Sequence, residues 1–315
     1  MSPTIRPIEA RDIAGFHECF DQVAREQRFL ASSEAPPLAA LCAGLKRVRR
    51  VPCRAPGASR AGNPATEGER HLDLELAGMR VAVTGGTAGI GAAIVRGFAQ
   101  EGAHVAFCSR SAARVAAMTE SLTGYPVEAR GTVVDVTDAD ALGGWIEGLG
   151  RIDILVPNVS AISPDWAMSI DTDMRATIRA TEAAIPLLAR SRAPAITYIG
   201  SKAATFGTPG HEAYGAAKAA MAHYMKSLSR RLVSRGIRVN TVAPGDVFVE
   251  GGFWDRVRQA SPADYQETLD ANPMGRLATP EEIAHVAVFV SCPRASFVNG
   301  AHYLVDGGAT DHVQF

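Results

Sequence analysis

From about His71 onward, short β-branched runs alternate with longer stretches of helical period. The runs are Arg80–Thr84, Val105–Ser109, Thr132–Val134, Ile154–Pro157, Ala195–Gly200, Arg238–Val242 and Tyr303–Val305. Strands separated by helical stretches predict right-handed βαβ units, so a parallel sheet covered by helices on both faces. The expectation for residues 72–315 is therefore one doubly wound α/β domain. The chain before it reads differently. Residues 1–45 offer a strand over Thr4–Pro7 and an amphipathic helix through Phe16, Phe20, Val23 and Ala24. Residues 46–71 are basic and rich in Pro and Gly, without periodicity, and read as a disordered linker.

Composition narrows the function classes. The 315 residues are 47% hydrophobic with a formal net charge of −1, which gives no bulk electrostatic case for nucleic acid or an anionic membrane. The one basic cluster, Lys46 to Arg60, has six cations and no acidic residue. No aromatic side chain is interleaved there to stack on bases, so it reads as a solvated linker. No apolar run reaches the roughly 18 residues of a membrane span. The start, Met1 to Arg6, lacks the basic and apolar regions of a secretory signal. Five cysteines (Cys19, Cys42, Cys53, Cys108, Cys292) form no C-x-x-C pair, as expected of reduced thiols in a cytoplasmic protein without a metal site.

The first run leads straight into Thr84-Gly85-Gly86-Thr87-Ala88-Gly89-Ile90-Gly91, with a helix expected from Ala92. A strand turning into a helix presents unpaired N–H groups and a positive dipole end, an anion site. Gly85 permits the tight turn, Gly89 lets backbone approach a pyrophosphate, and Gly91 lets helix pack on strand. At the end of the second run stand Ser109 and Arg110, where an NAD site would place a carboxylate for the ribose 2′-hydroxyl. A guanidinium suits a 2′-phosphate instead, so NADP(H) is expected rather than NAD(H). A solvated arginine at a strand end is the bland alternative.

These pieces resemble the short-chain dehydrogenase/reductase family over essentially all of residues 72–315, with a Rossmann-type fold implied. The matching elements are Thr84–Gly91, Asp135-Val136, Ile199-Gly200-Ser201, Tyr214-x-x-x-Lys218, Arg238-Val239-Asn240, Ala243-Pro244-Gly245 and Val305-Asp306-Gly307-Gly308. The 3-oxoacyl-(acyl-carrier-protein) reductase-like branch is the most similar. The resemblance implies a carbonyl or secondary-alcohol substrate, an acyl thioester among the options, and a homotetramer or homodimer. It assigns Ser201, Tyr214, Lys218 and Asp173 to catalysis. To the cofactor it assigns Gly85, Thr87, Gly89, Ile90, Gly91, Ser109, Arg110, Asp135, Val136, Asn158, Tyr214, Lys218, Pro244, Gly245 and Val247. The chemistry fits the types. Tyr214 and Lys218, four apart on one helix, face the same way. A phenol of pKa near 10 works as acid and base near neutrality only if shifted by about three units, and an adjacent ammonium favours the phenolate. Ser201 would donate to the substrate oxygen as charge grows there.

The chain departs from that family at three places. Pro157-Asn158-Val159-Ser160 stands where Asn-Asn-Ala-Gly is usual, Asp173 where a helix-borne Asn is usual, and Val249 where a Thr is usual. Asp173 has two roles open to it, accepting from a relay water or pairing directly with Lys218 and weakening its pull on Tyr214. Phe248, Phe253, Trp254 and Tyr265 fall in a helical flap expected to shape the substrate pocket, with His211 exposed near its entrance. Residues 4–38 loosely resemble the start of the GCN5-related N-acetyltransferases without that fold's pyrophosphate cradle. The rival reading from another class is a catalytically silent nucleotide-binding or interaction protein, supported by Pro157, Asp173, Val249 and this N-terminal stretch.

Overall fold

The structure, a computed structural model, describes residues 72–311 and 313. The strand at Thr4–Pro7, the helix after it and the basic linker lie outside the described residues. The unit His71–Phe315 is built on seven strands: β1 Arg80–Thr84, β2 His104–Ser109, β3 Ala129–Val133, β4 Ile154–Val156, β5 Ala195–Ile199, β6 Arg238–Pro244 and β7 His302–Val305. They form one parallel sheet in the order β3-β2-β1-β4-β5-β6-β7. This is the expected doubly wound fold, and the order reverses between β1 and β4. Crevices at the carboxyl ends of strands beside such a reversal are where ligands bind in this architecture.

Strand residues alternate between two cores. Val81, Val83, Val105, Phe107, Ile154 and Val156 pack on one face with Ile94 and Phe98 of helix α1 (Gly89–Gln100), Met118 of α2 (Ala112–Ser121) and Ile283 and Val288 of α9 (Pro280–Ser291). Ala82, Leu155, Ile196 and Tyr198 face the other way. They meet Leu142 of α3 (Ala139–Glu147), Leu188 of α5 (Ala176–Leu188) and Met221 and Leu228 of α6 (Glu212–Leu232). Because both faces are covered, the strands read as continuous apolar runs. The edge strand β3 begins at Ala129, earlier than the expected Thr132, because backbone pairing with β2 at Val105–Ser109 recruits the polar Arg130 and Gly131. Helix α1 likewise starts at Gly89 instead of Ala92.

Arg238 shows why a cation belongs at the start of β6. It is 9% exposed, and its guanidinium donates to the carbonyls of Val290, Ser291, Cys292 and Val298 at 2.8–3.3 Å. Those are the orphan acceptors at the C-terminal end of α9 and the loop beyond it. Asn240 continues the seam, donating to Val298 O at 2.9 Å and accepting from Ala301 N at 3.0 Å. The three-residue motif Arg238-Val239-Asn240 thus fastens α9 to the sheet, far from the strand reversal.

The other end of α9 is fixed by a capping box, Thr279 with Glu282, and Glu282 also holds Arg276 through two hydrogen bonds. The Arg276 guanidinium and the Thr279 N–H pull the Glu282 carboxyl down to about 2. A depressed carboxyl contributes stability above its unfolded pKa and loses it as pH falls through the folded one. Unfolding in urea at stepped pH should show Glu282→Gln flattening the acid limb between about pH 4.5 and pH 2. The change should be small because the pair is exposed and screened.

Candidate active site

At the strand reversal a cleft of about 1070 Å³ opens above the carboxyl ends of β1, β4 and β5. Its floor is the β1–α1 turn. Gly85 has φ +70° and Gly89 φ +51°, backbone that L side chains rarely adopt. At Gly91 a Cβ would stand 2.1 Å from the carbonyl oxygen of Gly85, so only glycine lets the helix start this close to the strand. Helix α1 begins with no side-chain cap and no acidic residue in its first turn. Its leading N–H groups and dipole are left to face the cleft. Asn158 locks the turn, donating from its amide to Thr84 O at 3.1 Å and Gly85 O at 3.2 Å.

Gly85, Thr87, Gly89, Ile90, Gly91, Ser109, Arg110, Val136, Asn158, Ser201, Tyr214, Lys218, Pro244, Gly245 and Val247 all line this cleft. Two residues expected at the site do not. Asp135 turns back to Thr137, accepting from its N–H at 2.9 Å and its hydroxyl at 2.7 Å. Those bonds, with Arg110 adding a smaller attraction, lower its pKa. Asp173 is fully buried behind Lys218. Sequence reasoning missed Arg114, which lines the cleft beside Arg110 and sits three residues into the α2 cap formed by Ser111. Cys108 also reaches the cleft wall, and burial pushes its thiol up to about 12. The cradle fits a dinucleotide. It combines an uncapped helix start, glycines where a Cβ would intrude, and two arginines, Arg110 and Arg114, in the lining beyond β2.

Lys218 is the electrostatic centre. It is 1% exposed, with Nζ 3.1 Å from Asp173 Oδ1, 3.3 Å from the hydroxyl of Tyr198, and 5.6 Å from the Tyr214 ring centroid. Of the two roles open to Asp173, the structure takes the direct pair. The carboxylate is presented by a π-helical turn, Ser169–Arg175, lying between a short α4 (Trp166–Met168) and α5. Such turns are rare and concentrate at functional sites. Asp173 also accepts from Ser160 Oγ at 2.5 Å and Ala161 N at 3.0 Å. Burial alone would depress Lys218. The Tyr198 and Tyr214 phenols and the Asp173 carboxylate outweigh it and hold the ammonium above its ordinary range. Tyr198, absent from the expected site, is itself pushed up by burial and drawn back only in part by Lys218.

Over the cleft lies the flap, α7 (Phe253–Ala260) and α8 (Pro262–Ala271). His211 is not an isolated surface histidine. It lines the cleft and stacks edge-on against Phe253, which meets Trp254 in turn. Lys202 is neutralised by Asp246 at 2.5 Å, while Asp264 and Glu267 line the mouth from α8. Val249 packs on Gly89, to which an added Cβ would come within 3.2 Å.

With this geometry in place, comparison with known proteins is informative. The family model described as enoyl-(acyl carrier protein) reductase matches residues 85–310. The chain belongs to the short-chain dehydrogenase/reductase family. Isoepoxydon dehydrogenase of Penicillium expansum is 36% identical over 78% of this chain and 99% of its own length. A 3-oxoacyl-(acyl-carrier-protein) reductase of Chlamydia pneumoniae is 32% identical over 76% of this chain and 100% of its own. Among solved structures, L-sorbose reductase of Gluconobacter frateurii, complexed with NADPH and L-sorbose, superposes with a TM-score of 0.70. It is 28% identical and covers 77% of this chain and 100% of that one. As a member of this oxidoreductase family, the chain has a fold that spans these relatives almost end to end. Among the described residues no group of acidic, His or Cys side chains could hold a metal, and no helix is long and apolar enough to cross a membrane.

The buried pair yields a stability test. Asp173→Leu strands the Lys218 charge and should destabilise the protein by about 3–5 kcal/mol. Asp173→Asn keeps one of the two acceptor oxygens and the shape of the side chain, and should lose less. Denaturant unfolding of both variants checks the order.

Proposed function

We propose that this protein is an NADP(H)-dependent oxidoreductase that interconverts a carbonyl and a secondary alcohol through Ser201, Tyr214 and Lys218. The observation that carries the reading is a buried ammonium set 5.6 Å from the ring of a cleft-lining tyrosine, with Ser201 in the same cleft. When bound, the nicotinamide supplies or receives the hydride. The chain's own groups handle the oxygen and its proton. Ser201 donates to the substrate oxygen and so stabilises the charge that grows on it. Tyr214 gives its phenolic proton to that oxygen in reduction and takes it back in oxidation. The Lys218 cation stabilises the phenolate form between those events. Asp173 opposes part of that pull, the observation that favours a catalytically silent protein instead.

Arg110 and Arg114 in the cleft lining support the choice of NADP(H), since guanidiniums hold a phosphate dianion by charge-assisted bonds. The NADPH seen with L-sorbose reductase points the same way. At the substrate end the charges favour an uncharged molecule. Lys202 is already paired, and Asp264 and Glu267 repel a phosphate-bearing acyl thioester. A small hydroxylated carbonyl compound, of the kind named for L-sorbose reductase, suits that mouth better than an acyl carrier. A homotetramer or homodimer in the cytoplasm completes the proposal.

Fluorescence titration of the full chain with NADPH and NADH separates these statements. NADPH should bind more tightly, and Arg110→Glu combined with Arg114→Glu should weaken NADPH by about 10- to 100-fold while sparing NADH. Tight NADH and weak NADPH in the unaltered protein would overturn the cofactor assignment. In a screen of small ketoses, hydroxyketones and acyl thioesters, Tyr214→Phe should cut kcat by about 100-fold or more. Unchanged low turnover in that variant would favour the silent protein.

A further inference from the structure

Beside Ser201 the cleft carries an ion pair with bonding capacity to spare. Lys202 follows Ser201 beyond β5 and Asp246 follows Gly245 beyond β6, and these two strands are neighbours in the sheet. Lys202 Nζ stands 2.5 Å from Asp246 Oδ2, and both residues line the cleft. We propose that the Lys202–Asp246 pair determines substrate specificity by recognising a hydroxyl group on the carbon next to the reacting carbonyl. The substrate class is then an α-hydroxy ketone, or the vicinal diol in the oxidative direction. This rests on the reading of the cleft as a carbonyl and alcohol site and narrows that reading to one class.

The pair spends only part of its bonding capacity on itself. An ammonium has three N–H donors and Lys202 gives one to Asp246, whose carboxylate accepts through Oδ2 alone. Two donors and Oδ1 are left, and no other group among the described residues hydrogen-bonds to them. The two side chains are only 18% and 16% exposed. A pair so largely removed from water gains where further hydrogen bonds meet its remaining protons and lone pairs. One substrate hydroxyl does both, accepting from Lys202 Nζ and donating to Asp246 Oδ1, each a charge-assisted bond. A ketone without that hydroxyl leaves both ends unanswered, the condition under which a site rejects an analogue. Both partners are held in place. Lys202 opens a single 3-10 turn capped by Ser201 Oγ, which accepts from Ala203 N at 3.1 Å, and its Nζ lies 5.9 Å from the Phe206 ring centroid. The Asp246 carbonyl accepts from Ala278 N at 2.9 Å.

Charge selects a neutral group over an anion. Within the pair the charges cancel, while Asp264 and Glu267 add negative charge to the cleft lining. A keto acid would bring its carboxylate to an ammonium that is already answered, past side chains of its own sign. A hydroxyl meets no such repulsion. Discrimination therefore comes from what the wrong molecules leave unpaired or repel, as well as from what the right one bonds.

The test uses the full chain and three probes with one carbon skeleton, 2-butanone, 1-hydroxy-2-butanone and 2-oxobutyrate. Steady-state kcat/KM is read with the reduced nucleotide. The dissociation constant of each probe is read with the oxidised nucleotide, a dead-end complex in which no hydride can move. The hydroxyketone should be favoured over 2-butanone by about 10- to 100-fold in both readouts, and over 2-oxobutyrate as well. Lys202→Met, Asp246→Leu and the double variant, which strands no charge, should each bring the ratio of hydroxyketone to 2-butanone to within about threefold of one. The double variant should cost no more than either single one, because the two groups act as a unit. Losses shared equally by the two ketones, with the ratio unchanged, would overturn recognition in favour of a bracing role. A ratio near one in the unaltered protein, or a preference for 2-oxobutyrate, would overturn it outright. Should Tyr214→Phe keep its turnover, or no probe be reduced, the proposed chemistry fails on the kinetics. The dead-end constants then decide the pair by themselves, and equal values for the two ketones would overturn it.

Discussion

An ammonium buried between a sheet and its helices is expensive unless something answers its charge, and much of this site is arranged around that requirement. Lys218 stands at the inner face of α6, in the cleft lining and 5.6 Å from the Tyr214 ring centroid. The answering charge comes from a neighbouring segment whose helix widens to a π-turn at Asp173. The Ser160–Ile162 loop then fixes the carboxylate, taking on a strained backbone to do so. Tyr198, from the middle of the sheet, supplies the remaining polar contact. One buried cation thereby couples β4, β5 and two helices.

The architecture was largely legible because it depends on period and punctuation. Seven apolar runs fell on seven strands, since a parallel sheet covered on both faces leaves each strand apolar on both sides. The β1–α1 turn could be read because a tight strand-to-helix turn tolerates few residues but glycine. The edges were less legible. β3 borders the sheet on one side only, so backbone pairing recruits Arg130 where no apolar pattern announces a strand.

The site was legible as a set of residue types and much less as a set of partnerships. Glycines, Ser201, Tyr214 and Lys218 gather in the cleft because their spacing is local. Whether Asp173 meets Lys218 depends on a π-turn, which leaves no periodic signature in sequence. Asp135 satisfies its own turn through Thr137 instead of facing the cleft, a local competition that an Asp-x-Thr stretch hints at. Tyr198 reads as one more apolar strand residue, and its hydroxyl gains meaning only from what α6 sets against it. Arg114 belongs to no motif, and only the Ser111 cap that starts α2 and its place in the cleft lining single it out.

The thiol of Cys108 carries a consequence for the cell. It forms part of the cleft wall, yet burial keeps it protonated with a pKa of about 12. Peroxides, nitrosating agents and alkylators attack the thiolate, so this wall offers them no foothold. The cleft wall at the end of β2 therefore keeps a cysteine that is a poor target for oxidation.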